Sequence, residues 1–131
     1  MTHRTTLAIL LCAAFGLLAV PSRSGSMVVQ DVAEPRVIDV IVKRYEFVPA
    51  SIEAVLGEKV RIVVKSGDGL HGFGIKQFNM SKEVARGATV TIEFTPDAAG
   101  EFPILCTEYC GEGHETMRGL LVVKAREPGQ P

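Results

Sequence analysis

Three stretches of this chain alternate apolar and polar residues with a period of two. Ile38, Val40 and Val42 alternate with Asp39 and Lys43. Val60, Ile62 and Val64 alternate with Arg61 and Lys65, and Val90, Ile92 and Phe94 alternate with Thr89, Thr91, Glu93 and Thr95. Leu120 to Val123 forms a short β-rich apolar run. Successive side chains of a strand point to opposite faces, so this period means sheets with one buried face. Turn-forming residues separate the stretches at short intervals: Pro49, Gly57-Glu58, Ser66 to Gly69, Gly87, Pro96-Asp97 and Gly111 to Gly113. Beyond the N-terminal apolar run, no stretch of 12 residues carries a helical period. Many short strands in so short a chain predict an all-β fold, an antiparallel β-sandwich.

Length and charge narrow the function. The chain has 131 residues, 14 Lys and Arg against 15 Asp and Glu, and a formal net charge of -1. That is one small globular domain at most. It has no basic excess, so no nucleic-acid partner is expected. Trp is absent and aromatics make up 6%, too few for a base-stacking platform. Three cysteines are too few for a disulfide scaffold.

The apolar residues are concentrated near the N-terminus. Leu7 to Val20 is an uncharged run of 14 residues, preceded by Arg4 and followed by Pro21-Ser22-Arg23-Ser24. A membrane-spanning helix needs about 20 apolar residues, and shorter runs belong to signal peptides. Residues 1–26 therefore read as a signal peptide, with Ser24 and Ser26 suited to cleavage after Ser26, or as a retained N-terminal membrane anchor. Arg4 keeps that end in the cytoplasm. Both readings place the rest on the periplasmic or extracytoplasmic face of the membrane. Residues 27–36 read as a linker, 37–125 as the domain and 126–131 as a flexible tail.

The chemistry is concentrated in Cys106-Thr107-Glu108-Tyr109-Cys110-Gly111-Glu112-Gly113-His114-Glu115-Thr116-Met117. Two thiols, an imidazole and a thioether lie within 12 residues. Cys and Met are soft donors, and with imidazole they select copper over magnesium, calcium or manganese. Gly111 and Gly113 make this stretch a loop, which can fold several side chains onto one point. In the strand before it Phe102 and Ile104 share a face, which Cys106 continues if the strand reaches so far. One more ligand is expected from elsewhere, and His71 is the only other histidine outside the first 26 residues. It sits in Asp68-Gly69-Leu70-His71-Gly72-Phe73-Gly74, where glycines permit close backbone approach. In an oxidising compartment two free thiols would pair unless something occupied them. A simple disulfide is the bland alternative.

Cys-x-Glu-x-Cys-Gly-x-x-His-x-x-Met resembles the binuclear copper A motif of cytochrome c oxidase subunit II. The stretch from about Val37 to Lys124 resembles that subunit's extracytoplasmic domain. The resemblance implies a Greek-key β-sandwich of cupredoxin type and a centre of two copper ions. By position, Cys106 and Cys110 would be bridging thiolates, and His71 and His114 terminal imidazoles. Met117 would be a weak axial ligand, and Glu108 would contribute its backbone carbonyl. It further implies electron transfer without substrate chemistry. The donor would be a c-type cytochrome or small copper protein, and the acceptor the haem-copper oxidase subunit I. No catalysis is expected from the chain alone.

The chain departs from the longer members of that family. Lys43 to Pro49 holds no Trp where they carry a tryptophan-rich segment, which makes it more like the compact subunit of B-type oxidases. It carries only a short apolar run where they have membrane helices, and no fused cytochrome c domain is expected behind it. Three other readings stay open: a mononuclear blue-copper carrier using Cys110, His114, Met117 and His71, a copper-handling or chaperone protein, and a module like that of nitrous oxide reductase. From Asp97 to Met117 there are five acids and no Lys or Arg, a surface suited to steering a basic partner. Asp68 is a candidate hydrogen-bond partner of His71, and Phe73 and Tyr109 are candidates for an apolar contact patch.

Overall fold

The structure is a computed structural model that describes residues 34–129. The expected signal or anchor at 1–26, and most of the linker, lie outside the described residues. Among these, no helix is long and apolar enough to cross a membrane.

Nine strands are described: β1 (Arg36–Lys43), β2 (Glu46–Val48), β3 (Ser51–Val55), β4 (Val60–Ser66), β5 (His71–Ile75), β6 (Met80–Val84), β7 (Thr89–Phe94), β8 (Gly100–Leu105) and β9 (Arg118–Lys124). They form a four-stranded sheet of order β2-β1-β4-β7 and a five-stranded sheet of order β3-β9-β8-β5-β6. The only helical elements described are two 3-10 turns, Lys76–Phe78 and His114–Thr116. β1 begins at Arg36, one residue inside the expected linker.

Period two is what the fold uses. Val40, Val42, Val60, Ile62, Val64, Ile104, Leu121 and Val123 all point into the core between the sheets. Val40 stands opposite Val64, and Ile62 opposite Ile92, so the apolar residues of neighbouring strands share one face. Phe47 on β2 and Phe73 on β5 join the two sheets through an edge-to-face contact with ring centroids 5.8 Å apart. Such a pair adds about 0.5–1.5 kcal/mol beyond the area it buries.

The pairing is not wholly antiparallel, which corrects the sequence expectation. β1 pairs parallel with β4, and β3 pairs parallel with β9. The alternating pattern reports which face is buried and carries no information on strand direction. The pattern also misses β2, β3, β5 and β6. The first is three residues long, and β6 is an edge strand buried only at Val84.

β5 is hidden for a different reason. Its sequence His-Gly-Phe-Gly-Ile puts His71, Phe73 and Ile75 on one face and two glycines on the other. All five residues are buried. The core covers the first face, and the segment after β8 covers the glycine face. A Cβ added at Gly72 would lie 2.6 Å from the Thr107 backbone nitrogen and 2.7 Å from that of Glu108. His71 thus occupies a core position of an ordinary strand alternation. Phe73 is fully buried, so it is not part of any exposed contact patch.

Candidate metal centre

Three adjacent strands converge on one end of the five-stranded sheet. Cys106 follows the last residue of β8, and Met117 precedes the first residue of β9. The loop between them joins two antiparallel neighbours. His71 opens β5, on the other side of β8. β5 and β8 pair only through Gly74 and Leu105, so beyond that point the loop crosses over β5.

The donor atoms gather there. Cys106 Sγ lies 3.7 Å from Cys110 Sγ and 4.0 Å from His71 Nδ1. The carbonyl oxygen of Glu108 is 3.2 Å from Cys106 Sγ. On the other side, Cys110 Sγ lies 3.9 Å from His114 Nδ1 and 3.8 Å from Met117 Sδ. The donor atoms of His71, Cys106 and Cys110 all fall within 4.8 Å of one another. Two donors sharing one ion by bonds of roughly 2.0–2.3 Å at open angles stand about 3.5–4 Å apart. Each sulfur-centred spacing above, except the shorter one to the Glu108 carbonyl, is of that size. All six residues singled out in the sequence are therefore brought together. The two sulfurs are well beyond a disulfide bond length of about 2.05 Å, and both cysteines are free.

Burial divides the set. His71, Cys106, Cys110 and Met117 are buried, the first fully. His114 is half-buried and carries the exposed Tyr109 against it, with ring centroids 5.7 Å apart. The Cys110 thiol is pushed up to about 11 by its burial first, then by hydrogen bonding and repulsion with Cys106. The Arg44 guanidinium opposes this rise.

Neighbouring groups orient the donors. His71 Nε2 lies 2.7 Å from Asp68 Oδ1. A carboxylate can only accept, so Nε2 carries the hydrogen and Nδ1 turns its lone pair toward Cys106. The Asp68 carboxyl is held below the usual carboxylate range, first by the Arg44 backbone amide and then by His71. Ser66 Oγ donates to the Gly69 carbonyl and fixes the turn that carries Asp68. The Gly72 amide donates to Cys106 Sγ over 3.5 Å.

The sequence pattern did not point to Arg44 or Tyr45. Arg44 brings positive charge to the carbonyl of Cys110, with Nε donating at 2.7 Å. A residue 66 positions away in the chain thus holds the ligand loop by its backbone. Tyr45 packs over the loop at Gly111 and Gly113.

Comparison with known proteins gives the family of the fold. Residues 7–123 match the family described as cupredoxin-like domain. Cytochrome c oxidase subunit 2 of Thermus thermophilus is 34% identical over 97 residues, covering 74% of this chain and 72% of the relative. The same subunit from a second strain of that species is also 34% identical over 97 residues, and there the match covers 74% of this chain and 58% of the relative. The crystal structure of the periplasmic domain of subunit II of cytochrome oxidase from Bradyrhizobium japonicum superposes with a TM-score of 0.63 at 16% identity. That superposition covers 69% of this chain and 84% of the other. A shared sandwich and a third of the aligned residues in common with an oxidase subunit lead to one family: the chain belongs to the cupredoxin-like proteins, with a domain of the cytochrome c oxidase subunit II kind.

Proposed function

We propose that this domain holds two copper ions in one shared-valence centre and passes single electrons on the extracytoplasmic side of a membrane. The observation that carries the reading is the two-lobed donor set. His71 and the Glu108 carbonyl lie beside Cys106, His114 and Met117 lie beside Cys110, and the two sulfurs stand 3.7 Å apart between the lobes. Two soft thiolates between two imidazoles are donors suited to copper.

A bound copper pair would supply a one-electron couple spread over both ions. The protein's own residues keep that couple ready. The sandwich anchors Cys106 and Met117 at strand ends, and Asp68 holds the His71 ring in one tautomer. Cys110 and Met117 lie among the buried residues and exclude water from one side of the centre. Because the donors are held, little rearranges when charge changes. His114 and Tyr109 form the side that reaches the surface.

The partners follow from this site and from the relatives. A c-type cytochrome or a small copper protein would give the electron, and the haem-copper subunit I of a terminal oxidase would receive it. The acidic surface between Asp97 and Met117 suits a basic donor. Oxygen reduction would belong to the assembled complex and not to this chain.

Copper analysis and electron paramagnetic resonance on the copper-loaded protein test the reading. Two coppers per chain sharing one unpaired electron are expected. One copper with a four-line signal would replace this reading with the blue-copper one. Loss of metal on each reduction cycle would point to copper handling.

A further inference from the structure

We propose that Arg44 and Tyr45 are positioning residues that clamp the ligand loop in its metal-binding form before any metal is present. The proposal deepens the reading above and concerns the same site.

Arg44 lies in the turn between β1 and β2, on the four-stranded sheet. The donors lie on the other sheet. Its backbone N–H donates to Asp68 Oδ2 at 2.8 Å, and its side-chain Nε donates to the Cys110 carbonyl at 2.7 Å. The second oxygen of the same carboxylate accepts from His71. One residue therefore ties the turn that carries His71 to the loop that carries Cys110. Those two segments are far from Arg44 in sequence, at separations of 24 and 66 residues. The guanidinium also lies over Gly69, where an added Cβ would meet Nη2 at 3.3 Å.

Tyr45 acts on the next part of the loop. A Cβ at Gly113 would fall 2.5 Å from the ring carbons Cγ and Cδ2 of Tyr45, and one at Gly111 would fall 2.5 Å from its hydroxyl oxygen. Gly113 has φ -85° and ψ 5°, which any residue adopts. The ring, not the backbone, is what requires glycine there.

Burial of Cys110 and Met117 anchors the ends of this segment, and the stretch between them has few bonds of its own. Its own backbone bonds close one short turn, from His114 to Gly111, Thr116 to Gly113 and Met117 to His114. Such a segment opens easily unless outside groups restrain it. The charge-assisted bond from Arg44 and the ring of Tyr45 are those restraints.

Amide hydrogen exchange of the metal-free full chain tests the clamp. Arg44→Ala should speed exchange at His114, Thr116 and Met117 by about tenfold, the loss of one charge-assisted hydrogen bond. The β4 and β7 amides should stay unchanged. Arg44→Lys should behave like Arg44→Ala, because the bond depends on the directed Nε. Tyr45→Phe should leave the loop protected, because the ring remains. Gly113→Ala should lower the melting temperature in the Tyr45 protein and do so much less in a Tyr45→Ala background. Loop exchange that ignores Arg44→Ala, or a Gly113→Ala penalty equal in both backgrounds, overturns the proposal. These readouts need no metal, so a copper count other than two would defeat the functional reading and leave this test intact.

Discussion

The Nε2–H of fully buried His71 donates to Oδ1 of Asp68 across 2.7 Å, and the ring's other nitrogen thereby faces Cys106 Sγ at 4.0 Å. Hydrogen-bond partners of metal-binding imidazoles fix their tautomer and basicity, and losing one costs about 10–100-fold in affinity. Asp68→Ala is expected to weaken copper binding by about that factor in competition with a chelator. Asp68→Asn keeps an accepting oxygen and should lose less. Equal affinity in all three proteins would show that the carboxylate does not orient the ring.

Proton release accompanies metal uptake. Burial holds the Cys110 thiol up to about 11, so it is protonated at neutral pH and must lose its proton to bind metal. Apparent copper affinity should therefore rise with pH toward 11, with proton release visible in weakly buffered titrations. The stability of the metal-free protein should move the other way. A thiol whose folded value lies above its ordinary 9.0 stabilises the fold below that value. That contribution is lost as pH rises from about 9 to about 11, because the unfolded chain gives up the proton first. Chemical denaturation across this range checks the sign.

Gly72 is a packing requirement of the site. A Cβ there would strike the backbone of Thr107 and Glu108 at 2.6 and 2.7 Å, and backbone cannot step aside as a side-chain end can. Gly72→Ala should destabilise the metal-free protein by about 1–3 kcal/mol, the cost of overpacking. It should also displace Cys106, whose sulfur takes the Gly72 amide bond. A melting temperature within a degree of the parent would contradict this.

The two sulfur types should behave differently on substitution. Cys106→Ser replaces a soft donor that lies between His71 and Cys110 by a hard hydroxyl, and the copper count should fall below two. Met117→Leu removes a thioether 3.8 Å from Cys110 Sγ while keeping a buried apolar side chain. It should retain both coppers and shift the reduction potential measured by voltammetry. An unchanged spectrum after Cys106→Ser would remove that sulfur from the centre.

Much of this molecule was legible in the residues. The alternation at Val40-Val42, Val60-Ile62-Val64 and Val90-Ile92-Phe94 gave the buried faces, because pleat geometry is a local property. The donors from Cys106 to Met117 were legible for the same reason: they lie in one loop, and their chemical softness is intrinsic to each side chain. His71 was reached as the sole remaining histidine. Its strand was not read, because its glycines look like breaks until the loop that covers them is in place.

Strand direction was not legible, since period two is the same forwards and backwards, and two pairings are parallel. Nor was the role of Arg44 and Tyr45, which depends on bringing a turn of one sheet against a loop of the other. The sequence by itself determined an all-β domain with five soft or borderline candidate donors, because period and donor chemistry belong to single residues and their neighbours. Only the tertiary structure decided how those donors divide around the two sulfurs, and which distant arginine and tyrosine restrain them. Contacts across 24 and 66 residues exist only after the sheets have packed.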